Sequence, residues 1–285
     1  MRPEYITDGF LERFIQSALD EDLGEGDYSS LATIPTDLVK RAKLLVKDNG
    51  ILAGVQVAQS IFHHFDENLR VEVMLKDGAP IKKGDIAFTV EGPAQSILST
   101  ERLVLNCMQR MSAIATKTHN LTDLIKGTGA KLLDTRKTTP NFRLLEKWAV
   151  LLGGGFNHRI GLFDMVMLKD NHVDMAGGIR QAIIRTKDYL RARNKNLKIE
   201  IETRSLDEVR QVIDVGDVDI IMLDNMDTST MKEAVAMIGG KYQTEASGGI
   251  TEETIRGIAE CGVDFISVGA LTHSVDSLDL SLKAY

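Results

Sequence analysis

Several protein classes are excluded by what this chain has little of. Of its 285 residues only two are cysteine, Cys107 and Cys261, and both sit in apolar periodic segments. That rules out a disulfide framework and a cysteine-rich zinc site. No apolar run approaches the ~18 residues of a membrane span, and the N-terminal MRPEYITDGFLERF lacks the apolar core of a secretory signal. Basic residues are outnumbered: 34 Lys plus Arg stand against 41 Asp plus Glu, for a net charge of −7. A mildly acidic chain argues against nucleic acid or a membrane surface as partner. Short repeats and low-complexity tracts are also missing. The expectation is a cytoplasmic, reduced protein. What is present, 43% hydrophobic and 26% charged residues, is the balance of a globular chain with ample core.

The first part of the chain reads as mixed α+β. A helix is expected from Thr7 or Asp8, with Phe10, Leu11, Phe14, Ile15, Ala18 and Leu19 on one face. It ends in the acidic stretch Glu21-Asp22-Leu23-Gly24-Glu25-Gly26-Asp27, which has no Ca²⁺-loop spacing and reads as a solvated loop. Residues 42–47, 71–75 and 86–90 look like strands, with a helix over 55–65 and turn signals at 76–80 and 82–85. A helical stretch from about 96 to 126 follows, with a break expected near Ser112.

After Gly129 the pattern becomes strand, loop, helix, repeated. Six strands are expected, at 131–134, 164–168, 198–201, 219–223, 243–246 and 264–268, with amphipathic helices at 206–213, 231–238 and 252–259. Such alternation fits parallel βα units, in a barrel or in a doubly wound sheet. The strand ends favour a barrel. Each strand runs at once into polar or glycine residues: Asp134-Thr135-Arg136-Lys137, Lys169-Asp170-Asn171-His172, Glu202-Thr203-Arg204, Asp224-Asn225, Ser247-Gly248-Gly249 and Gly269-Ala270-Leu271-Thr272. In a barrel these positions share one mouth, whereas an open sheet spreads them along an edge. The last two turns are glycine-rich, with Thr251 as a candidate helix cap, and their backbone N–H groups suit a phosphate.

Charge is uneven within the acidic chain. Residues 131–172 hold seven Lys or Arg against four acids. Arg143 and Lys147 stand four apart on an expected helix and read as solvated or structural. Arg136, Lys137, His158, Arg159 and Lys169 fall at strand ends or beside glycines, a pattern that points to a ligand with several negative charges. Glu202 and Asp224 end neighbouring strands. As a pair they are candidates to hold Mg²⁺ or ribose hydroxyls, or to form salt bridges with the basic residues. His158 stands as either a ligand group or a structural histidine. His63, His64 and His119 lie on helical stretches and read as structural or exposed.

At these residues the sequence resembles the quinolinate phosphoribosyltransferases. The resemblance runs through residues 21–27, Glu101-Arg102-Leu103-Val104-Leu105-Asn106, Asp134-Thr135-Arg136-Lys137-Thr138-Thr139-Pro140 and Gly153-Gly154-Gly155-Phe156-Asn157-His158-Arg159. It continues through Leu168-Lys169-Asp170-Asn171-His172, Glu200-Ile201-Glu202, Leu223-Asp224-Asn225 and Ser247-Gly248-Gly249-Ile250. Asn141-Phe142 stands where Gly-Leu is commoner in the family, and Trp148 where Tyr is commoner; none of these carries charge.

The resemblance implies an α/β fold with an N-terminal α/β sandwich domain, placed at residues 1–110. A C-terminal incomplete, seven-stranded (β/α) barrel follows at 111–285, its last helices expected to pack back on the first domain. It implies conversion of quinolinate and phosphoribosyl pyrophosphate to nicotinate mononucleotide, pyrophosphate and CO₂ with Mg²⁺, by a homodimer or a larger dimer-based assembly with shared active sites. Arg136, His158, Arg159 and Lys169, with Arg102 from the partner, would hold the two carboxylates. Lys137 would approach the pyrophosphate side of the second substrate. Glu202 and Asp224 would hold ribose hydroxyls and Mg²⁺, Ser247, Gly248, Gly249, Gly269 and Ala270 would cradle the 5′-phosphate, and Thr135 and Leu271 would be further substrate-binding residues. Lys137, Glu202 and Asp224 would be the catalytic residues. Two rivals stand beside this reading: a relative acting on another heterocyclic acid, and a non-catalytic sugar-phosphate-binding barrel.

Overall fold

The computed structural model describes residues 2–285. Its contacts divide the chain into two compact units. One is the chain up to His119 with Thr138–Gly154 and Leu271–Tyr285; the other is Asn120–Lys137 with Gly155–Ala270.

In the first unit, α1 (Asp8–Leu23) begins at Thr7, whose hydroxyl accepts from the Phe10 amide, and buries Leu11, Ile15 and Leu19 along one stripe. The acidic run after it ends as a cap, because Asp27 accepts from the Ser30 N–H at the start of α2 (Tyr28–Thr33). Then come β1 (Val39–Val46), β2 (Gly50–Ile51), α3 (Val55–Phe65), β3 (Arg70–Val73), β4 (Pro80–Ile81) and β5 (Ile86–Pro93). Gly54 caps α3 at φ 95°, where a Cβ would lie 3.2 Å from the Met108 backbone. Both the left-handed conformation and the close approach require glycine there.

The long helix α4 (Ala94–Leu124) is continuous for 31 residues, so the break expected at Ser112 does not occur. Ser112 and Thr116 are polar for another reason. The Ser112 hydroxyl accepts from the Ala53 N–H (2.9 Å) and donates to the Ala53 carbonyl (3.1 Å). Thr116 accepts from the Ile51 N–H at 2.9 Å. Two helix hydroxyls thus satisfy backbone groups of an adjoining segment that has few ladder bonds of its own.

The second unit carries β6 (Lys131–Leu133), β7 (Val166–Leu168), β8 (Ile199–Thr203), β9 (Ile220–Asp224), β10 (Gln243–Ser247) and β11 (Phe265–Ser267), which match the six expected strands. Helix α5 (Arg143–Leu152), inserted after β6, belongs to the first unit. Helices α6 (Asp170–Ala176), α7 (Ile179–Ala192), α8 (Leu206–Val215), α9 (Thr228–Ile238), α10 (Ile255–Ala259) and α11 (Ala270–His273) follow in turn. The sheet is parallel, in the order β6-β11-β10-β9-β8-β7. The last strand returns beside the first, and Phe156 bridges Leu133 in parallel on the far side of β6. That circular order is what a curled sheet gives and a doubly wound sheet does not. Phe156 is the seventh strand, reduced to one bridge, which is why sequence periodicity did not show it. Among the described residues no ladder joins it to β7, so the barrel is incomplete.

The chain ends in β12 (Leu280–Ala284), which pairs antiparallel with β1 in the sheet β12-β1-β5-β3 of the first unit. A strand makes the return for which the sequence reading expected helices. No helix among the described residues is long and apolar enough to cross a membrane.

The Ser112 anchor is open to test. Ser112→Ala leaves two backbone groups of Ala53 unpaired in a fully buried setting, and should cost about 1–3 kcal/mol. The expected result is a lower denaturation midpoint with unchanged far-UV circular dichroism. An unchanged midpoint would remove the anchoring role.

Candidate active site

The C-terminal ends of the barrel strands bring two groups of opposite charge into the second unit's mouth. Glu202, near the end of β8, and Asp224, at the end of β9, are both half-buried. Burial is the main influence raising the Glu202 pKa above the usual carboxylate value, and the Asp224 charge adds to it. Lys169, at the end of β7, opposes the rise, as does the Asp170 backbone N–H that donates to Glu202. The influence of these groups on one another places Glu202, Asp224, Lys169 and Asp170 together. Asp224 accepts from its neighbour Asn225 Nδ2 at 2.8 Å. Neither Glu202 nor Asp224 forms an ion pair among the described residues, so the salt-bridge alternative finds no partner.

The positive group lies at the end of β6 and in the turn after Phe156. Arg136 and Arg159 are half-buried and Lys137 is exposed. Thr135 Oγ1 accepts from the Lys137 N–H at 3.0 Å and shapes that turn. Burial, then the neighbouring Arg136 charge, pull the Arg159 pKa below its ordinary value. The two guanidiniums are therefore close enough to repel. Arg159 itself is held by the Met165 carbonyl at 3.3 Å.

Beneath these groups is a buried cluster whose acidic members the sequence reading gave no role. Glu200 and Glu245 are 0% exposed. His158 Nε2 lies 3.0 Å from Glu200 and 3.4 Å from Glu245. The Arg159 backbone N–H donates to His158 Nδ1 at 2.7 Å. The His158 N–H donates to Asp134, also fully buried, which accepts from Asn157 Nδ2 as well. Burial presses the His158 pKa down, but the hydrogen bonds and charges of Glu200 and Glu245 outweigh it and hold it above the ordinary imidazole value. Burial, then the Glu245 charge, push the Glu200 pKa up. Because Nδ1 accepts the Arg159 N–H, the ring proton sits on Nε2, toward the two carboxylates. Both His158 ring nitrogens are thus turned to protein groups, although the sequence reading gave this histidine a direct part in holding a substrate carboxylate. Glu200 and Glu202 alternate along one strand, as do Glu245 and Ser247. That spacing was the signal that could have found the lower layer.

The glycine turns close the mouth. Asn225 N–H donates to the Ser247 carbonyl at 2.9 Å. Gly248 has φ 96°, and a Cβ there would meet Asn225 Oδ1 at 2.3 Å, so no side chain fits. The next glycine, Gly249, has nothing within 4 Å of its Cβ position. Thr251 is not a helix cap: its N–H donates to Thr254 Oγ1, and Thr254 caps α10 three residues later. Gly269 and Ala270 are half-buried, and Leu271 is fully buried in the first unit. Lys147 is fully buried rather than solvated. Arg102 is exposed on α4 and forms no ion pair with Glu101 or any other acid among the described residues.

The chain is similar to known proteins over nearly its whole length. The model of the quinolinate phosphoribosyl transferase N-terminal domain matches residues 27–112, and that of the C-terminal domain residues 114–283. A chloroplastic nicotinate-nucleotide pyrophosphorylase [carboxylating] of Arabidopsis thaliana is 48% identical over 96% of this chain and 82% of its own length. A probable nicotinate-nucleotide pyrophosphorylase [carboxylating] of Bacillus subtilis is 39% identical over 95% of this chain and 92% of its own. The crystal structure of NadC from Streptococcus pyogenes superimposes with a TM-score of 0.92 at 38% identity, covering 98% of this chain and 97% of that one. With its barrel mouth of opposed charges and both domain models matched in order, the chain belongs to the quinolinate phosphoribosyltransferase family.

Proposed function

We infer that this protein is a decarboxylating quinolinate phosphoribosyltransferase, which makes nicotinate mononucleotide for NAD biosynthesis. The observation that carries the chemistry is the Arg136–Arg159 pair, two repelling guanidiniums at the same strand ends as the acidic Glu202–Asp224 pair. A dicarboxylate relieves the first repulsion, and a cation or ribose hydroxyls relieve the second. A relative that takes a monocarboxylate would leave one basic group without work, and a passive sugar-phosphate binder needs no opposed pairs.

In our reading, Arg136, Arg159 and Lys169 hold the quinolinate carboxylates, and His158 supports them from below. Thr135 and Lys137 face the pyrophosphate side of the second substrate. The amides of the turns at Ser247, Gly248, Gly249, Gly269, Ala270 and Leu271 take the 5′-phosphate. The oxygen donors of Glu202 and Asp224, with no cationic partner of their own, suit Mg²⁺, which would neutralise charge on the departing pyrophosphate. The pyridine nitrogen attacks the anomeric carbon as pyrophosphate leaves, and Glu202 and Asp224 stabilise the positive character that grows on the sugar. Lys137 stabilises the leaving group. Once quaternary, the positively charged ring nitrogen stabilises the electron pair left on the adjacent carbon as its carboxylate departs as CO₂, and a proton then bonds to that carbon. No covalent nucleophile is required; orientation and electrostatics suffice.

A second copy of the chain completes the site in this reading. Arg102 has a free guanidinium on an exposed helix face with Leu98, which is 41% exposed. Leu162, Phe163 and Met175 are 71%, 74% and 86% exposed, apolar surface that a partner subunit would cover. Our placement in the cytoplasm rests on two free, buried cysteines; several plant relatives are named as chloroplastic or mitochondrial.

Purified protein with Mg²⁺, phosphoribosyl pyrophosphate and either quinolinate or nicotinate tests the activity. Nicotinate mononucleotide and CO₂ are expected from quinolinate, and no product from nicotinate. Arg136→Ala and Arg159→Ala should each weaken quinolinate binding by about 2–5 kcal/mol, with far less effect on phosphoribosyl pyrophosphate. Calorimetry that finds quinolinate affinity unchanged in both variants would sink the assignment.

Sharing of the site has its own test. Arg102→Ala chains and Lys169→Ala chains should each be inactive. After subunit exchange, half the dimers are mixed and one of their two sites is intact, so activity should rise toward about a quarter of wild type. No recovery, with exchange confirmed by mass spectrometry, would place Arg102 outside the partner's site.

A further inference from the structure

The buried cluster below the mouth is too costly to be filler. Three carboxylates, Asp134, Glu200 and Glu245, are each 0% exposed, and charge without a partner is strongly disfavoured in such a setting. Their contacts converge on one short turn. Asp134 holds it from the β6 side through the His158 amide and the Asn157 side chain, at 2.9 and 2.6 Å. Glu200 and Glu245 hold it from β8 and β10 through the His158 ring. The ring in turn takes the Arg159 amide on Nδ1. Three strands, β6, β8 and β10, therefore hold the turn that carries Arg159, whose charge is felt by Arg136.

We propose that Asp134, Glu200 and Glu245 are positioning residues for the dicarboxylate: they grip His158 from below and so fix Arg159 beside Arg136 before the substrate arrives. The proposal rests on the phosphoribosyl-transfer reading and deepens it. Two like charges on separate loops would otherwise splay, and each binding event would have to gather them. A gripped turn keeps them at the spacing that two carboxylates of one ring require.

Two other accounts of the cluster exist, and each has a distinct signature. Were it core packing alone, removing a carboxylate would lower stability and leave both substrates' KM values alike. Were it a metal centre, His158, Glu200 and Glu245 would be the donors, since their ligand atoms lie within 4.8 Å of one another. The 3.0 Å contact between His158 Nε2 and Glu200 is instead the length of a hydrogen bond.

The test uses the full-length protein and four variants: Glu245→Gln, Asp134→Asn, His158→Gln and the double variant Glu245→Gln/His158→Gln. KM for each substrate, kcat, thermal midpoint and metal content are measured for each. Glu245→Gln should raise the quinolinate KM by about tenfold while the phosphoribosyl pyrophosphate KM stays within about twofold. Asp134→Asn should give the same split, and it carries the test if Glu245→Gln fails to fold. The double variant should be no worse than His158→Gln alone, because Glu245 acts through that ring. Equal shifts in both KM values, an unchanged quinolinate KM in a folded variant, additive losses in the double variant, or stoichiometric tightly held zinc would each overturn the proposal. A wild-type chain that makes no nicotinate mononucleotide would instead overturn the activity reading, and this proposal with it. Active wild type with an unsplit variant overturns the positioning role alone.

Discussion

Repulsion between Arg136 and Arg159 is the constraint around which the barrel mouth is organised. Two half-buried guanidiniums whose charges act on each other are costly to keep together unless something holds them. The compensation comes from below, where the Glu200 charge favours the charged form of Arg159 and the Asp134–His158 contacts fix its backbone. The charge that remains faces outward. An anionic ligand entering the mouth meets a cationic pair already assembled, so the cost of gathering those charges has been met in folding.

A similar economy fixes the loop between β6 and α5. Glu146, fully buried on α5, accepts from Arg110 at 2.9 Å, from the Thr139 N–H at 3.1 Å and from the Thr139 hydroxyl at 2.9 Å. Arg110 also donates to the Thr272 carbonyl. Thr139 lies two residues beyond Lys137, and Thr272 two beyond Ala270. One buried carboxylate and one arginine therefore anchor segments that flank two sets of candidate substrate contacts. The polar residues of α4 do related work: Ser112 and Thr116 face the 51–53 backbone, not solvent.

Those same residues show where the sequence was legible and where it was not. The barrel strands could be read because each is a short apolar run closed by polar or glycine residues, and those closing residues form the candidate site. Glu202, Asp224 and Arg136 were accessible for that reason, and Arg159 through the glycine-rich run before it. Ser112 misled, because a hydroxyl in an apolar helix resembles a break until its backbone partner, 59 positions away, is known. Phe156 was hidden because a strand of one bridge has no period. The β12 strand was hidden because its partner, β1, lies at the other end of the chain. Asp134, Glu200 and Glu245 appeared in the motifs, yet their role depended on seeing that all three contact one turn.

The contrast between Glu200 and Glu202 shows how one strand serves both purposes. They stand two positions apart on β8, so their side chains leave the same face of the sheet at successive heights. Glu200, at the lower level, is fully buried and is matched by His158. Glu202, one level up, is only half-buried and has Asp224 beside it, with Lys169 as a partial counterweight. Both carboxyls are pushed up by burial first and by a neighbouring acid second. The difference lies in what can relieve the strain. Below, the protein supplies a histidine and the group becomes scaffold. Above, it supplies no ion pair, and in the proposed function the relief comes from a cation or from sugar hydroxyls. Charge that the fold leaves uncompensated at the mouth is what makes that level a site, and charge that it compensates beneath is what keeps the site in shape.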